Sequence, residues 1–212
     1  MSARTGLSLL SSKSTLSALR KEAAHCHGCE LFQTATQTVF GEGKRTASFV
    51  LVGEQPGEQE DRIGRPFVGP SGKVLHQALQ DAGISEVEIY LTNAVKHFRW
   101  KKKGKRKIHQ SPLSHHVKAC RPWLTAELEQ IHPEVILCLG VTATYAILGI
   151  RTKLDSLRHQ VLFAKEGIKT IVTVHPSSLL RIPEAVARHR AYQRFVDDLR
   201  FARQVIEKQK AS

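Results

Sequence analysis

Four short apolar runs along the chain have the pattern of buried strands. They are rich in valine, isoleucine and leucine, and each ends at or just before a glycine or a polar residue, which is typical of strands buried on both faces. The runs span residues 48–53, 87–95, 134–140 and 170–174. We therefore predict four strands that share one sheet.

Helical periodicity separates these runs. Apolar residues recur at helical spacing in residues 71–82, 114–131 and 142–148 and in the segment after Pro183. Alternation of strands with helices favours a mostly parallel sheet, because each helix returns the chain to the start of the next strand. The predicted fold is α/β, a three-layer α/β/α sandwich around a central, mostly parallel four-stranded sheet.

The carboxyl ends of the predicted strands indicate where a site would lie. Ligands of such sheets bind beyond these ends, which here means the loops that begin at Gly53, Asn93, Gly140 and His175. Three of these loops carry polar residues of the kind that catalysis uses. We therefore expect the functional residues at this edge of the sheet.

Composition and charge indicate one domain with an anionic partner. The 212 residues, 41% of them hydrophobic, suit a single domain over residues 1–212, and the net charge of +13 favours nucleic acid. Eight of the twelve residues 96–107 are Lys or Arg, and His109 follows them. We predict that residues 99–112 form a functional loop, although such a run is also typical of a solvated loop or a nonspecific nucleic-acid patch.

Hydropathy argues against a membrane protein. No apolar run approaches the ~20 residues of a membrane span. The apolar stretch of the N-terminal residues is too short and too broken for a signal peptide. We expect a cytoplasmic monomer.

Four cysteines form a candidate metal site. Cys26 and Cys29 make a C-x2-C pair, Cys120 lies in a predicted helix and Cys138 in a predicted strand. A chain without a secretion signal is not expected to form disulfides, and a zinc ribbon would need a second close pair. Four thiolates could hold zinc or a [4Fe-4S] cluster. The alternative for Cys138 is an ordinary buried apolar residue.

Two other patterns do not predict sites. The GPSGK segment at residues 69–73 lacks the spacing of a phosphate-binding loop, and Val74 stands where that loop needs Ser or Thr. His115 and His116 are adjacent on a predicted helix, so we expect them to point in different directions at the surface.

Four motifs resemble those of the uracil-DNA glycosylase superfamily. They are GEQPGEQED at residues 53–61, GRPFVGPSG at 64–72, TNAVKHF at 92–98 and HPSS at 175–178. The resemblance covers nearly the whole chain, from Cys26 to about residue 200. It is to the iron-sulfur family 4 branch and, through the inserted KRKIH segment and Gln55, to the UdgX class.

The resemblance implies roles for several motif residues. A glycosylase must take uracil out of the stack and read its polar edge. Phe67 matches the stacking aromatic, Asn93 the amide that pairs with the uracil edge, and His175 the donor to a uracil carbonyl. Glu54 and Gln55 are further candidates, because they directly follow the first predicted strand, where a carboxylate could orient a nucleophile or stabilise the cationic sugar. Without the motifs, Phe67 would be interpreted as a core ring, Asn93 as a turn residue and Glu54 as part of a local salt bridge.

The resemblance also implies a nucleophile, DNA contacts and a cofactor. In ordinary members water attacks, placed by a residue that Glu60 matches, whereas in the UdgX class the histidine of the inserted loop, here His109, attacks and stays attached. The expected DNA contacts are Lys96, Lys105, Arg106, Lys107, Ser177 and Arg181. The expected ligands of a structural [4Fe-4S] cluster, which would tie residues 1–30 to the sheet, are Cys26, Cys29, Cys120 and Cys138.

Three hypotheses follow. The first is excision of uracil from DNA, with single-stranded DNA the expected preference, and a single-turnover adduct between His109 and the anomeric carbon. The second is a turnover glycosylase that releases uracil and leaves an abasic site. The third is a noncatalytic iron-sulfur module that binds DNA.

Overall fold

A central sheet and a separate hairpin contain all the strands of the described chain. The computed structural model describes residues 15–151 and 153–210. Residues 1–14 of the predicted N-terminal segment 1–30 therefore lie outside the described residues. The strands are β1 (Glu42–Gly43), β2 (Phe49–Gly53), β3 (Ile89–Asn93), β4 (Trp100–Lys103), β5 (Arg106–His109), β6 (Val135–Leu139), β7 (Leu162–Phe163) and β8 (Lys169–Thr173).

The central sheet has six strands in the order β1-β3-β2-β6-β8-β7. The four inner strands are parallel to their neighbours and correspond to the four predicted runs, which confirms the predicted mostly parallel sheet. The prediction of four strands was too few, since β1 and β7 pair antiparallel at the two edges. Each edge strand has two residues, which is too short to show a hydrophobic period.

In the described residues, seven α-helices cover the sheet and its ends. They are α1 (Leu16–Ala23), α2 (Glu58–Ile63), α3 (Pro70–Asp81), α4 (Ser114–Ile131), α5 (Val141–Leu148), α6 (Pro176–Leu180) and α7 (Ala185–Lys210). The four longest helical patterns of the sequence correspond to α3, α4, α5 and α7. None of the helices in the described part of the chain is long and apolar enough to cross a membrane.

Alternate residues of the inner strands pack into two hydrophobic cores, one on each face. Val50 and Val52 of β2 face a core shared with α1, α4 and α5. Phe49 and Leu51 face a core shared with α3 and α7. Because successive strand side chains point to opposite faces, one apolar run serves both cores and the three-layer sandwich follows.

The predicted loop at residues 99–112 is mainly a β-hairpin. Strands β4 and β5 pair antiparallel, with Trp100 opposite His109 and Lys103 opposite Arg106. Gly104 has φ 59°, the positive value that the first central residue of a type II′ hairpin turn needs. The hairpin fixes the position of His109, which a mobile loop would not do.

Candidate active site

The motif residues meet at the carboxyl edge of the inner strands, as the sequence predicts. Gly53 and Asn93 are direct neighbours at the ends of β2 and β3. Across β6 and β8, a methyl group built on Gly140 would lie 3.0 Å from His175 Cβ. The loops that begin at these residues therefore share one cleft.

Phe67 is held in a backbone conformation that favours glycine. Its φ is 55°, and the residue is only 4% exposed. His76 Nε2 lies 3.1 Å from its carbonyl oxygen, and a side chain at Gly72 would overlap that carbonyl. Strained residues of this kind are found at functional sites, because the surrounding structure must hold them in place.

A slot for a flat ligand is formed by Phe67, Asn93 and His175. The Phe67 and His175 rings are stacked with centroids 6.4 Å apart and planes inclined by 27°. A methyl group on Gly53 would overlap Asn93 Oδ1 and lie 2.7 Å from Phe67 Cζ. The glycine therefore leaves the Asn93 amide and the Phe67 ring free to approach one ligand.

His175 caps α6 and presents one nitrogen as a donor. Its Nδ1 accepts from the Ser177 N–H at 3.2 Å and lies 2.8 Å from Ser177 Oγ. Burial, with smaller effects of His109 and Arg181, lowers the pKa of His175 to about 4. The neutral ring therefore carries its proton on Nε2. Ser177, predicted as a DNA contact, orients this histidine.

His109 lies beside the two residues that follow β2. Its Nε2 is 3.0 Å from Gln55 Nε2 and 3.5 Å from Glu54 Oε1. Burial lowers the pKa of His109 below its ordinary 6.5, Glu54 opposes this shift and Arg181 adds to it. His109 is therefore a neutral imidazole at neutral pH.

Gln55 fixes the hairpin and the tautomer of His109. Its Oε1 accepts from the Arg99 N–H at 3.1 Å, so the amide nitrogen is the atom that faces His109. That nitrogen also lies 3.2 Å from the Arg99 carbonyl and 3.1 Å from the Gln110 carbonyl. Because an amide nitrogen only donates, His109 Nε2 accepts and carries a lone pair, and the ring proton is on Nδ1.

Glu54 is held in place by a residue that the sequence analysis missed. Thr142 Oγ1, in the first turn of α5, donates to Glu54 Oε2 at 2.5 Å. The other oxygen of Glu54 is then left to face His109. The position of Thr142, just after the carboxyl end of a predicted strand, could have indicated that it belongs to the site.

Glu60 connects two loops, which is not the role that was predicted for it. Its Oε1 accepts from the Gly69 N–H at 2.7 Å and its Oε2 from the Gly57 N–H at 3.0 Å. The side chain is buried between the two loops that it connects. The expectation that Glu60 orients a nucleophile is contradicted by these bonds, since the carboxylate braces the loops and Glu54 faces His109.

The predicted DNA contacts divide into exposed and buried residues. Lys105, Arg106 and Arg181 are exposed. Lys107 is half-buried, with Nζ 4.7 Å from the centroid of the Trp100 ring and 3.6 Å from Asp61 Oδ2. Lys96 is 1% exposed and ion-paired with Glu127, so the prediction that it contacts DNA is wrong.

Three of the four cysteines lie together. Trp123 Nε1 donates to Cys26 Sγ at 3.1 Å, and the Lys96 N–H donates to Cys120 Sγ at 3.2 Å. The pKa of Cys29 is raised mainly by burial and also by Cys26, and burial raises that of Cys120 to about 12 with smaller contributions from Cys26 and Cys29. These three thiols fit the donors of a metal group.

Cys138 does not join them, which contradicts its prediction as a ligand. It is 0% exposed in the middle of β6, between Val52 and Val172 on the neighbouring strands. Burial alone raises the pKa of Cys138, without a contribution from another cysteine. The alternative interpretation of Cys138, as a core residue, agrees with this environment.

The spacing of the three thiols is wider than zinc needs. Sulfur ligands of one tetrahedral zinc ion lie about 3.8 Å apart. In the described ranges, only Glu30, His115 and His116 have ligand atoms that all lie within 4.8 Å of one another. The cysteines therefore fit a larger group, such as an iron-sulfur cluster, better than zinc.

Glu30, His115 and His116 form a hydrogen-bonded clamp. Both histidine Nε2 atoms reach Glu30 Oε1, at 2.8 and 2.7 Å, so the expectation of divergent surface histidines is wrong. His116 Nδ1 accepts from the Leu113 N–H, so its Nε2 carries the proton and offers no lone pair to a metal. The histidine hydrogen bonds lower the pKa of Glu30 to about 2.

Comparison with known proteins assigns the family. Residues 40–200 match the family model described as the uracil DNA glycosylase superfamily. The type-4 uracil-DNA glycosylase of Thermotoga maritima is 37% identical over 157 residues, 74% of this chain and 78% of that protein. That of Archaeoglobus fulgidus is 32% identical over 171 residues, 77% of this chain and 82% of that protein. The chain therefore belongs to the uracil DNA glycosylase superfamily.

Proposed function

We propose that this protein excises uracil from DNA and captures the resulting sugar through His109, as in the UdgX class of the iron-sulfur family 4 branch. The observation that carries the proposal is the 3.0 Å contact between Gln55 Nε2 and His109 Nε2. It supports a neutral histidine with its lone pair on Nε2, beside the Glu54 carboxylate. Gln55 has two further carbonyl acceptors, so it can release His109 without losing all of its partners.

Recognition of the base uses the slot at the strand ends. The deoxyuridine turns out of the stack, and its ring stacks on Phe67. The Asn93 amide donates to one carbonyl oxygen and accepts from the ring N–H, and His175 Nε2–H donates to another carbonyl. Cytosine presents an amine where uracil presents an acceptor, so the same set of groups disfavours it.

Cleavage separates charge, and the site has a group for each sign. The bond between C1′ and the uracil nitrogen breaks, and its electron pair leaves with the base. The donors on Asn93 and His175 stabilise the uracil anion, while the Glu54 carboxylate stabilises the cationic sugar. Thr142 keeps Glu54 in the orientation that this role requires.

His109 completes the reaction by forming a bond to the sugar. The Nε2 lone pair forms a bond to C1′ and produces an imidazolium. The ring then loses its Nδ1 proton, and the uracil anion takes up one proton. The product is a neutral N-alkylated imidazole, which is a poor leaving group. The protein therefore acts once and remains bonded to the DNA.

Exposed cations near the cleft support a DNA substrate. Lys105 and Arg106 lie at the tip of the hairpin that carries His109. Arg181 is exposed and is close enough to His109 and His175 to lower the pKa of both. These charges would contact the phosphates on either side of the target nucleotide.

The thiols suggest a [4Fe-4S] cluster with a structural role. Cys26 and Cys29 lie in the segment that directly follows α1, and Cys120 lies on α4. A cluster held there would connect the N-terminal segment to α4. It would supply no reacting group to uracil excision, which the residues at the strand ends carry out.

The test is a labelled single-stranded oligonucleotide with one uracil, incubated with protein and run on a denaturing gel. We expect a shifted band that requires uracil and is absent with His109→Ala. His109→Ser should admit water and restore release of uracil. His132→Asn, at the far end of α4, is the matched control and should form the adduct normally. An equal adduct with His109→Ala would overturn the proposal, and an intact probe would favour a noncatalytic DNA-binding module.

A conventional turnover glycosylase is the second candidate. The relatives carry the name type-4 uracil-DNA glycosylase, and Glu54 Oε1, at 3.5 Å from His109, could instead orient a water molecule. This alternative predicts many uracils released per protein and a probe that alkali cleaves. The same gel distinguishes it, because no shifted band would form.

A further inference from the structure

The left-handed backbone of Phe67 needs support from outside its own loop. A φ of 55° is unfavourable for a residue with a large side chain, so other contacts must hold it. His76 Nε2 lies 3.1 Å from the Phe67 carbonyl oxygen. Among the described residues, the His76 ring is the only hydrogen-bond donor to this carbonyl. The bond therefore fixes the peptide unit that directly follows the stacking ring.

Helix α3 brings His76 to this carbonyl. A side chain at Gly72 would lie 1.8 Å from the Phe67 carbonyl oxygen, so the first turn of α3 can pack against that peptide only with glycine there. His76 follows Gly72 by one helical turn and lies on the same side of the helix. One face of α3 therefore provides both the space for the carbonyl and the donor to it.

Glu86 holds the other side of the His76 ring. His76 Nδ1 is buried and lies 2.8 Å from Glu86 Oε2, off the direction of a ring hydrogen bond, so the contact is an ion pair. Carbonyl and carboxylate oxygens only accept, so a ring with a proton on each nitrogen satisfies both contacts. Glu86 lies shortly before β3, the strand that ends at Asn93. His76 thus connects the Phe67 loop to the strand that carries Asn93.

From these contacts we infer that His76 is a positioning residue for uracil excision, because its Nε2–H holds Phe67 where the ring can stack on the base. The inference rests on the proposed function and deepens it. His76 acts through Phe67 and is not a catalytic residue itself. A shift of about 1 Å in a group that orients a substrate can slow a reaction by about 100-fold.

The effect should be on the rate rather than on the stability of the fold. The side chains of His76 and Glu86 are 35% and 38% exposed, and exposed ion pairs of this kind contribute little to the free energy of unfolding. The cations proposed to contact DNA are on other segments. Loss of the His76 contacts should therefore leave affinity for DNA unchanged and slow uracil release when all DNA is bound.

The experiment compares His76→Leu with His76→Gln in the full chain. Leucine keeps an apolar side chain on α3 but cannot donate, whereas the glutamine amide nitrogen reaches about as far as histidine Nε2 and can donate to the Phe67 carbonyl. Free uracil released in a single turnover, affinity for uracil-free DNA and the denaturation midpoint are measured. We expect His76→Leu to slow release by up to about 100-fold and His76→Gln to restore it. Gln80→Ala, an exposed change on α3, is the control and should behave as wild type.

The ion pair is tested by a double-mutant cycle. Glu86→Ala should slow uracil release by a smaller factor than His76→Leu, because the ring keeps its bond to Phe67 but loses its brace. In the His76→Leu chain, Glu86→Ala should have no further effect, since the two side chains act through one contact. Equal slowing by Glu86→Ala in both chains would show that Glu86 does not act through His76.

A second measurement needs no substrate. In protein labelled with ¹³C at the phenylalanine carbonyls, the Phe67 signal is identified by its loss in Phe67→Tyr. This signal should move in His76→Leu, which removes the hydrogen bond, and stay near its wild-type position in His76→Gln. Because it reports the bond directly, it tests the His76 contact even if the protein releases no uracil.

Three results would overturn the inference. They are release by His76→Leu at the wild-type rate, equal slowing of the leucine and glutamine variants at equal denaturation midpoints, and a Phe67 carbonyl signal that His76→Leu leaves unchanged. Free uracil is produced both by capture on His109 and by ordinary turnover, so the choice between these mechanisms does not affect the test. A wild type that releases no uracil would instead contradict the proposed function.

Discussion

Lys96 and Glu127 form an ion pair in the interior, with Nζ 2.5 Å from Oε2 and both side chains at most 1% exposed. Lys96 Nζ also donates to Thr92 Oγ1 at 2.6 Å and to the Asn93 carbonyl at 2.9 Å. Glu127 Oε1 accepts from the Gly41 N–H at 2.8 Å. The pair therefore fixes the end of β3 from which the Asn93 side chain enters the slot.

Removing one partner of this pair should destabilise the protein strongly. Glu127→Ala leaves Lys96 as an uncompensated buried charge, and we expect a loss of about 3–5 kcal/mol in the free energy of unfolding. Chemical denaturation measures this loss. Glu129→Ala, an exposed change on the same helix, is the control and should shift stability by less than about 0.5 kcal/mol. Equal midpoints for the two variants would contradict the assigned role of the pair.

Gln55 should control the reactivity of His109 without reacting itself. Gln55→Ala removes the donor that orients Nε2 and the clamp on the hairpin base, so adduct formation should slow by up to about 100-fold, as for a misplaced reacting group. Gln55→Glu should also place a carboxylate beside Nε2, raise the pKa of His109 and move the pH profile upward. Single-turnover rates against pH measure both effects. An unchanged profile in Gln55→Glu would argue against the contact.

The adduct rate should fall in acid. Burial lowers the pKa of His109 below 6.5, so Nε2 is unprotonated and nucleophilic above that pKa and becomes protonated as the pH falls through it. The rate should be flat from neutral to mildly basic pH and fall below an inflection under 6.5. Glu54→Gln removes a charge that raises this pKa, so its inflection should move lower. An inflection above pH 7 in a quenched time course would rule out this assignment.

The hairpin tip should add salt-sensitive affinity for single-stranded DNA of any sequence. Lys105→Ala with Arg106→Ala removes two exposed charges, so the slope of log affinity against log salt should decrease by about 1.4, or 0.7 for each phosphate contact. Binding to uracil-free oligonucleotide, measured by anisotropy over a salt series, tests this. Lys118→Ala, an exposed change on α4, is the control. A slope that the double variant leaves unchanged would exclude phosphate contacts at the tip.

Local sequence patterns predicted the inner sheet and the long helices because both have a clear hydrophobic period. Parallel strands buried on both faces give continuous apolar runs, as in residues 134–140, and α3 and α7 show helical spacing. The hairpin was missed because its lysines show no alternation of apolar and polar residues. Charge alone favoured exposure at Lys96, and nothing local indicated Glu127, 31 residues later, as its buried partner.

The sequence by itself determined the order of the four inner strands and the long helices, the edge of the sheet where the motifs meet, and the basic segment that carries His109. These depend on residue types at short spacing, which a linear pattern records. Only the tertiary structure decided which nitrogen of His109 and His175 holds the proton, that Glu60 braces loops while Glu54 faces His109, and that Cys138 is separate from the other thiols. Each depends on contacts between residues distant in sequence, whose distances and hydrogen-bond directions exist only after the chain has folded.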